Sequence, residues 1–358
     1  MNFNDIFLKS FRILLLPFAI IYGFIISVRN YLYDTNKLKS VSFNFPVICV
    51  GNLAVGGTGK SPMVEYLVKL IKDDYITATL SRGYKRKTKG YVLASNSTTA
   101  LEIGDEPMQF HLKFLDVAVA VGEERIVAIP HLLQDKPNLQ VIILDDAFQH
   151  REIKAGLNIL LTDYANRFTN DFFLPTGDLR DEKRAYKRAD IIVVTKCPAD
   201  LSEEKKIEIL YEIHAWPGQQ VYFTTIEYGK PYHIFDSNKV FKITEDVEVL
   251  LVCGIANPKP LKDYLHQHSK TYYQMNFNDH YIFNIDDLNN IKEKFNGIDE
   301  PNKIIITTEK DAVRFLKFAG ELKELPVYVL PIQHQFLFKE AKKFNSTVKS
   351  YISNHYNK

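Results

Sequence analysis

Cysteine is scarce in this chain, and its spacing suggests no metal site. The three cysteines, Cys49, Cys197 and Cys253, are far apart, and each lies in or beside an apolar run. Metal sites built on cysteine need ligands at short, regular spacings. The pattern therefore indicates buried thiols in a reducing compartment.

An excess of charge of either sign is also missing. The 45 lysines and arginines nearly balance the 43 aspartates and glutamates, which leaves a formal net charge of +2 over 358 residues. So small a charge gives no electrostatic reason to bind nucleic acid, and we expect no such partner. With 46% hydrophobic residues the chain has the composition of a folded globular protein, and its length predicts about two domains.

Charge is absent altogether from one stretch near the N-terminus. Residues Ile13 to Val28 are uncharged, and Pro17 interrupts them near their start. The flanking basic residues are Lys9, Arg12, Arg29, Lys37 and Lys39. A spanning helix needs about 20 apolar residues, so we favour a helix that lies in the cytoplasmic face of a membrane. A single span and an ordinary buried helix stay open, whereas no small-x-small cleavage site follows Val28 to support a signal peptide.

A glycine-rich turn follows the next apolar run. Val47 to Val50 has the pattern of a buried strand, and Met63 to Lys72 has that of a helix. Between them lie Ala54, Val55, Gly56, Gly57, Thr58, Gly59, Lys60 and Ser61. A strand, a glycine loop and a helix that starts with Lys and Ser form a phosphate-binding loop, or P-loop.

The residue types of this loop suit a nucleotide. Glycines let backbone N–H groups point at phosphate oxygens, Lys60 adds a positive charge, and Ser61 can ligate Mg²⁺. The usual pattern, G-x-x-x-x-G-K-[ST], has glycine where this chain has Ala54. Because alanine tolerates a positive φ poorly, we expect the start of the loop to depart slightly from the usual geometry.

Two acids end the apolar run Val141–Leu144. Asp145 and Asp146 stand where a P-loop enzyme holds Mg²⁺ directly or through water, although acid pairs are also common in strand-end loops. No glycine completes the Asp-x-x-Gly pattern of a GTPase here, and Pro198 occupies the place of the guanine-reading aspartate after Thr195 and Lys196. ATP is therefore favoured over GTP.

Other polar residues are candidates with a structural alternative. Asp105 and Glu106 begin a helical run, where they can be a general base and a metal ligand or only favourable charges at the helix start. Arg180 can stabilise a transferring phosphate or form a structural ion pair. His280 follows an aspartate, yet a lone histidine is more often structural than catalytic. The five basic residues within 81–89 can bind an anionic substrate or membrane headgroups, or be a solvated surface.

Apolar runs that alternate with helical patterns predict an α/β fold with a mainly parallel sheet. The runs lie at 47–50, 76–80, 117–121, 141–144, 157–161, 191–194 and 221–226, and a second series at 249–253, 304–306 and 327–330. We expect a membrane-associated helix over 1–35, a P-loop core over 36–228 and a smaller α/β domain over 229–358. Gln335 to Tyr351 has the pattern of a closing helix.

The motifs together resemble the tetraacyldisaccharide 4′-kinase (lipid A 4′-kinase) family of Gram-negative bacteria. The matching residues are Val50-Gly51-Asn52-Leu53, Gly56-Gly57-Thr58-Gly59-Lys60-Ser61-Pro62, Leu80-Ser81-Arg82-Gly83-Tyr84, Gly104-Asp105-Glu106-Pro107, Asp145-Asp146-Ala147-Phe148-Gln149-His150-Arg151, Thr195-Lys196-Cys197-Pro198, Asp279-His280 and Thr308-Glu309-Lys310-Asp311-Ala312. This family also lacks the first glycine of the loop, so Ala54 fits it. The Leu174–Asp181 turn matches less well, because the family more often has Gly-Pro-Leu-Arg-Glu there.

The resemblance implies a P-loop NTPase-like fold and transfer of the ATP γ-phosphate to the 4′-hydroxyl of a tetraacylated glucosamine disaccharide 1-phosphate. It implies that Asp105 is the base on the sugar hydroxyl and that His280 tunes or orients it. Lys60 would hold the phosphates, with Arg180 beside them. The implied residues around Mg²⁺ are Ser61, Glu106, Asp145 and Asp146. We expect a monomer at the cytoplasmic face of the inner membrane, where an acylated substrate resides.

Overall fold

The computed structural model describes residues 12–279 and 281–357, and these form two sheets with helices around them. The strands are β1 Val47–Asn52, β2 Thr77–Ser81, β3 Val92–Leu93, β4 Ala118–Val121, β5 Val141–Asp145, β6 Leu157–Asp163, β7 Ile191–Thr195, β8 Gln220–Tyr228, β9 Tyr232–His233, β10 Asp236–Val240, β11 Glu248–Cys253, β12 Thr271–Asn276, β13 Lys303–Thr308, β14 Val327–Leu330 and β15 Ile332–Phe336. Every apolar run that was predicted to be a strand coincides with or overlaps one.

Helices cover both faces of the larger sheet. The α-helices are α1 Leu16–Asp34, α2 Lys60–Ile71, α3 Ala100–Ile103, α4 Asp105–Lys113, α5 Arg125–Asp135, α6 Glu203–Ile213, α7 Lys259–His268, α8 Ile285–Asn296, α9 Glu309–Phe315, α10 Ala319–Leu322 and α11 Ala341–Tyr356. The larger sheet has the order β15-β8-β7-β6-β1-β5-β2-β4-β3, and the smaller has β10-β9-β14-β13-β11-β12.

The larger sheet is built around β1, which is buried along its whole length and pairs in parallel with β5 and β6. Successive side chains of a strand point to opposite faces. Val47 and Cys49 accordingly pack into the core that contains residues of α5 and α6. Ile48 and Val50 pack into the other core, with α2, α4 and α11. Burial on both faces explains why the parallel strands were visible as continuous apolar runs.

The end of the chain differs from the prediction. Ile332 to Phe336 is a strand, antiparallel to β8, and the last helix begins only at Ala341, so the predicted helix start at Gln335 is wrong. The physical reason is period-two burial, since His334 and Phe336 are buried while Gln335 is exposed. Because β15 and α11 rejoin the larger sheet, the predicted unit 229–358 contains residues of both sheets.

The N-terminal helix α1 is long and apolar enough to cross a membrane by length and composition. Most of its large apolar side chains are exposed, which is not the pattern of an ordinary buried helix. Its polar side binds the turn that contains Arg180 and Asp181. Asn30 Nδ2 donates to Asp181 Oδ1 at 2.8 Å, and Tyr22 donates to the carbonyl of Arg180 at 3.1 Å. The apolar face of α1 is therefore largely exposed, while its polar face is bound to this turn.

Candidate active site

The glycine-rich loop lies at the carboxyl end of β1, between the ends of β5 and β6. In an open parallel sheet, ligands bind beyond the carboxyl ends of the strands. The helix after the loop begins at Lys60, so its first N–H groups have no partner within the helix and favour an anion. The loop therefore has the position and polarity of a phosphate site.

Ala54, the departure from the usual pattern, is buried and forms an antiparallel bridge with Leu179. Beside it, the N–H of Val55 donates to the carbonyl of Asp178 at 2.8 Å. Ala54 is not among the residues with positive φ, so the position does not require glycine. The start of the loop is thus held by the same turn that carries Arg180.

The Lys60 side chain extends toward Asn52 and Asp146, at the carboxyl ends of β1 and β5. Its Nζ lies 3.3 Å from Asn52 Oδ1 and 3.8 Å from Asp146 Oδ1. Arg180 meets the same groups, because its Nη1 donates to Asp146 Oδ2 at 3.2 Å and its Nη2 to Asn52 Oδ1 at 2.5 Å. The structure brings the predicted Lys60, Arg180 and Asp146 together, so that two cations face one carboxylate.

The two acids after β5 have different surroundings. Burial, and then the charges of Glu106 and Asp146, raise the pKa of Asp145 above its ordinary value. Burial also acts to raise the pKa of Asp146, but the charges of Lys60 and Arg180 outweigh it and hold that pKa below its ordinary value. Within the described part of the chain, Asp145 Oδ1 is buried and has no hydrogen-bond partner. Asp145 thus has one buried acceptor oxygen that no described donor pairs with.

Asp105 begins helix α4, directly after Gly104. Gly104 has a φ of 94°, and a Cβ there would come within 2.9 Å of the Tyr84 carbonyl oxygen, so only glycine fits. Asp105 Oδ2 accepts hydrogen bonds from Arg314 Nε at 3.0 Å and Nη2 at 2.7 Å. Since Arg314 lies on α9, after a strand of the smaller sheet, both sheets contribute to this carboxylate.

Glu106 and Asp279 both lie near Lys310, the lysine of helix α9. Lys310 Nζ lies 3.9 Å from Glu106 Oε1 and 3.4 Å from Asp279 Oδ1. His280 itself lies outside the described residues, so the predicted pairing of Asp105 with His280 stays a prediction. The charge of Glu106 also raises the pKa of Asp145. Glu106 therefore couples helix α4 electrostatically to the acid at the end of β5.

Sequence reasoning missed three polar residues of this site. Asn52 is fully buried and accepts from both Lys60 and Arg180. It belongs to the Val50–Leu53 motif of the resemblance, but no role was predicted for it. Arg125 is fully buried, and its Nη1 donates to the carbonyls of Gly122 and Glu123 at 2.9 Å. Arg314 was missed because only the three-dimensional fold brings it to Asp105.

Burial dominates the electrostatics of Arg125 and lowers its pKa to about 10, against the charges of Asp145 and Asp146. It is therefore a third cation beside those acids at neutral pH.

The basic residues within 81–89 do not form one surface. The Arg86 side chain is buried and its Nη2 pairs with Glu123 at 2.7 Å, whereas Arg82, Lys85 and other cations of that segment are exposed.

Comparison with known families gives a match over nearly the whole chain. The model of the family described as tetraacyldisaccharide-1-P 4′-kinase (LpxK) matches residues 11–353. The chain belongs to this kinase family. The resemblance predicted from the motifs is thereby confirmed.

Relatives match at nearly full length. The tetraacyldisaccharide 4′-kinase of Flavobacterium johnsoniae is 47% identical over 341 residues, which cover 95% of this chain and 97% of that protein. The one from Bacteroides thetaiotaomicron is 44% identical over 352 residues, with 94% and 92% covered. Among solved structures, LpxK from Aquifex aeolicus in complex with ATP has a TM-score of 0.75 at 30% identity, covering 96% of this chain and 99% of that one. The predicted P-loop kinase fold is confirmed by this match.

Proposed function

We propose that this protein transfers the γ-phosphate of ATP to the 4′-hydroxyl of a tetraacylated disaccharide 1-phosphate in lipid A biosynthesis. Family membership supports the acceptor and the reaction, and the ATP complex of the Aquifex aeolicus relative supports the nucleotide. The observation that carries the proposal is the meeting of the P-loop Lys60 with the Asp146–Arg180 ion pair, beside a helix that begins with Asp105.

The positive groups of the site suit the phosphate chain. Backbone N–H groups among residues 56–61 and the Lys60 ammonium would bind the β- and γ-phosphates. Arg180 would stabilise the charge that spreads over the transferring phosphoryl group, because such charge is best met by fixed donors. Its hydrogen bonds to Asp146 and Asn52 hold the guanidinium in one orientation.

The acids suit a magnesium ion. Ser61 with Asp145 or Asp146 would hold Mg²⁺, with Glu106 nearby, and the buried, unpartnered Oδ1 of Asp145 is a ready ligand. In the described residues no group of three or more His, Cys, Asp or Glu can hold a metal alone, and Mg²⁺ of a nucleotide site usually takes waters and phosphate oxygens instead. When bound, the ion neutralises charge on the phosphates.

Asp105 is the proposed general base. The acceptor hydroxyl gives its proton to Asp105 as its oxygen bonds to the γ-phosphorus, while the bond to the β-phosphate bridging oxygen breaks and ADP leaves. The two hydrogen bonds from Arg314 fix the orientation of the carboxylate. The predicted role of His280 is to orient this carboxylate.

The acylated acceptor requires a membrane surface, and helix α1 is the proposed contact. Its exposed apolar face would lie in the cytoplasmic face of the inner membrane, and a single span is the alternative topology. The polar side of α1 binds the turn that carries Arg180, so the proposed membrane contact adjoins the phosphate site. We infer that the protein works there as a monomer.

Replacing Phe18 and Phe24 with serine is expected to weaken binding to anionic phospholipid vesicles by about 100-fold or more, since each buried phenylalanine contributes roughly 1.5–3 kcal/mol and about 1.4 kcal/mol is a factor of ten. Both side chains are largely exposed, at 62% and 68%, so the fold should tolerate the change. Vesicle sedimentation measures the effect. The control is Leu115→Ser, an exposed apolar residue outside α1; an equal loss in the control would contradict a specific role for the helix.

The direct test of the function is phosphotransfer with purified full-length protein, γ-labelled ATP and the tetraacylated disaccharide 1-phosphate. Label should appear in the lipid and should require Mg²⁺. No transfer to the lipid would refute the proposal. GTP serves as the competing donor, and tighter binding of GTP than ATP without lipid phosphorylation would favour a GTP-driven assembly factor instead.

A further inference from the structure

His334 is a buried histidine that connects the returning strand β15 to the P-loop. The ring is 3% exposed. Its Nδ1 lies 3.0 Å from Thr224 Oγ1 on the neighbouring strand β8, and its Nε2 lies 2.9 Å from the carbonyl oxygen of Gly59. Neither the loop motif nor the family resemblance pointed to this residue.

The two contacts determine which nitrogen carries the proton. Burial lowers the pKa of His334 to about 4, so the ring is neutral at physiological pH. The Gly59 carbonyl can only accept, and therefore Nε2 carries the hydrogen and donates it. Nδ1 is then an acceptor, and the Thr224 hydroxyl donates to it. Thr224 thus selects the tautomer that binds the loop.

The Gly59 carbonyl stands at the point where the loop becomes a helix. It also accepts the N–H of Met63 at 3.1 Å, the first hydrogen bond of α2. Because a trans peptide is planar, a carbonyl held toward His334 directs the N–H of Lys60 the opposite way, toward the end of the helix where a phosphate would bind. A second anchor lies one residue earlier, where Thr195 Oγ1 donates to the Thr58 carbonyl at 2.8 Å.

The ring also limits the backbone itself. Gly59 has a φ of 84°, and a Cβ at this position would come within 3.0 Å of the ring. The glycine therefore allows both the turn and the close approach of the imidazole.

We propose that His334 is a positioning residue for nucleotide binding: its Nε2–H fixes the Gly59–Lys60 peptide and so aims the N–H donors of the loop at the phosphates. The proposal rests on the function proposed above, since it concerns the same nucleotide site. Strand β15, which carries His334 275 positions after Gly59, would then set the geometry of the loop.

Three substitutions separate this role from simple packing. His334→Gln can place an amide N–H where Nε2 lies, His334→Asn is too short to reach Gly59, and His334→Met fills similar volume without a donor. We expect the KM for ATP to rise about tenfold in the Asn and Met variants and about twofold or less in the Gln variant. The KM for the lipid acceptor should not change in any of them. Thermal unfolding of each variant establishes that it is folded.

The outcome distinguishes this proposal from the proposed function. If the wild-type protein does not phosphorylate the lipid, the proposed function fails, and titration with a fluorescent ATP analogue still tests His334 through the same tenfold difference in affinity. If the Met variant is folded and binds ATP as tightly as wild type, the positioning role is overturned. It is equally overturned if the Gln variant loses as much ATP affinity as the Met variant, or if the KM for the acceptor rises in parallel.

Discussion

Asp105→Asn is expected to lower kcat for phosphotransfer by about three orders of magnitude, with the KM for ATP close to that of wild type. A general base typically contributes 10²- to 10⁴-fold, and asparagine cannot take the proton of the sugar hydroxyl. The amide oxygen can still accept the hydrogen bonds that Arg314 donates to Asp105 at 2.7 and 3.0 Å. The contact between α4 and α9 is therefore preserved, and steady-state kinetics reports the loss of the base.

A matched control lies just past the other end of the same helix. Asp116 is an exposed acid whose Oδ2 accepts from Lys72 Nζ at 2.8 Å. We expect Asp116→Asn to retain wild-type kinetics. If Asp105→Asn keeps more than a tenth of the wild-type kcat, Asp105 is not the base, and the hydroxyl proton must leave by another route.

The sequence predicted what depends on local pattern. Strands such as β1 and β7 are buried on both faces, so they appear as unbroken apolar runs. The loop that ends at Ser61 was recognisable because glycine, lysine and serine at this spacing are typical of phosphate binding. By contrast, β12 is an edge strand with mostly exposed side chains, and it had no apolar run to reveal it.

What the sequence did not reveal depends on contacts between distant segments. Arg314 meets Asp105 across 209 positions, and His334 meets Gly59 across 275. Such pairs follow from the way β15 and α9 return to the P-loop side, and no local periodicity encodes that return. A lone buried histidine or arginine looks in sequence like any surface polar residue until its neighbours are known.

Lys60→Ala is expected to lower kcat/KM for ATP by roughly 10³-fold, more than most single contacts, because the charge is fixed next to the phosphates. Its Nζ is held 3.3 Å from Asn52 Oδ1, which fixes the ammonium beside the loop.

Removing Lys60 also acts on its neighbour. The Lys60 charge helps to keep the pKa of Asp146 low, so the substitution should raise that pKa. Arg180 would then be the remaining ion-pair partner of Asp146 among the described residues. Loss of the proton at Asp146 would then need a higher pH, and activity that remains in Lys60→Ala should fall further at acidic pH. Rates across a pH series measure this.

The control is Lys69→Ala, a basic residue in the last turn of the same helix, which we expect to behave as wild type. A variant at Lys60 that keeps a tenth of the wild-type kcat/KM would show that the loop holds the phosphates through its backbone alone.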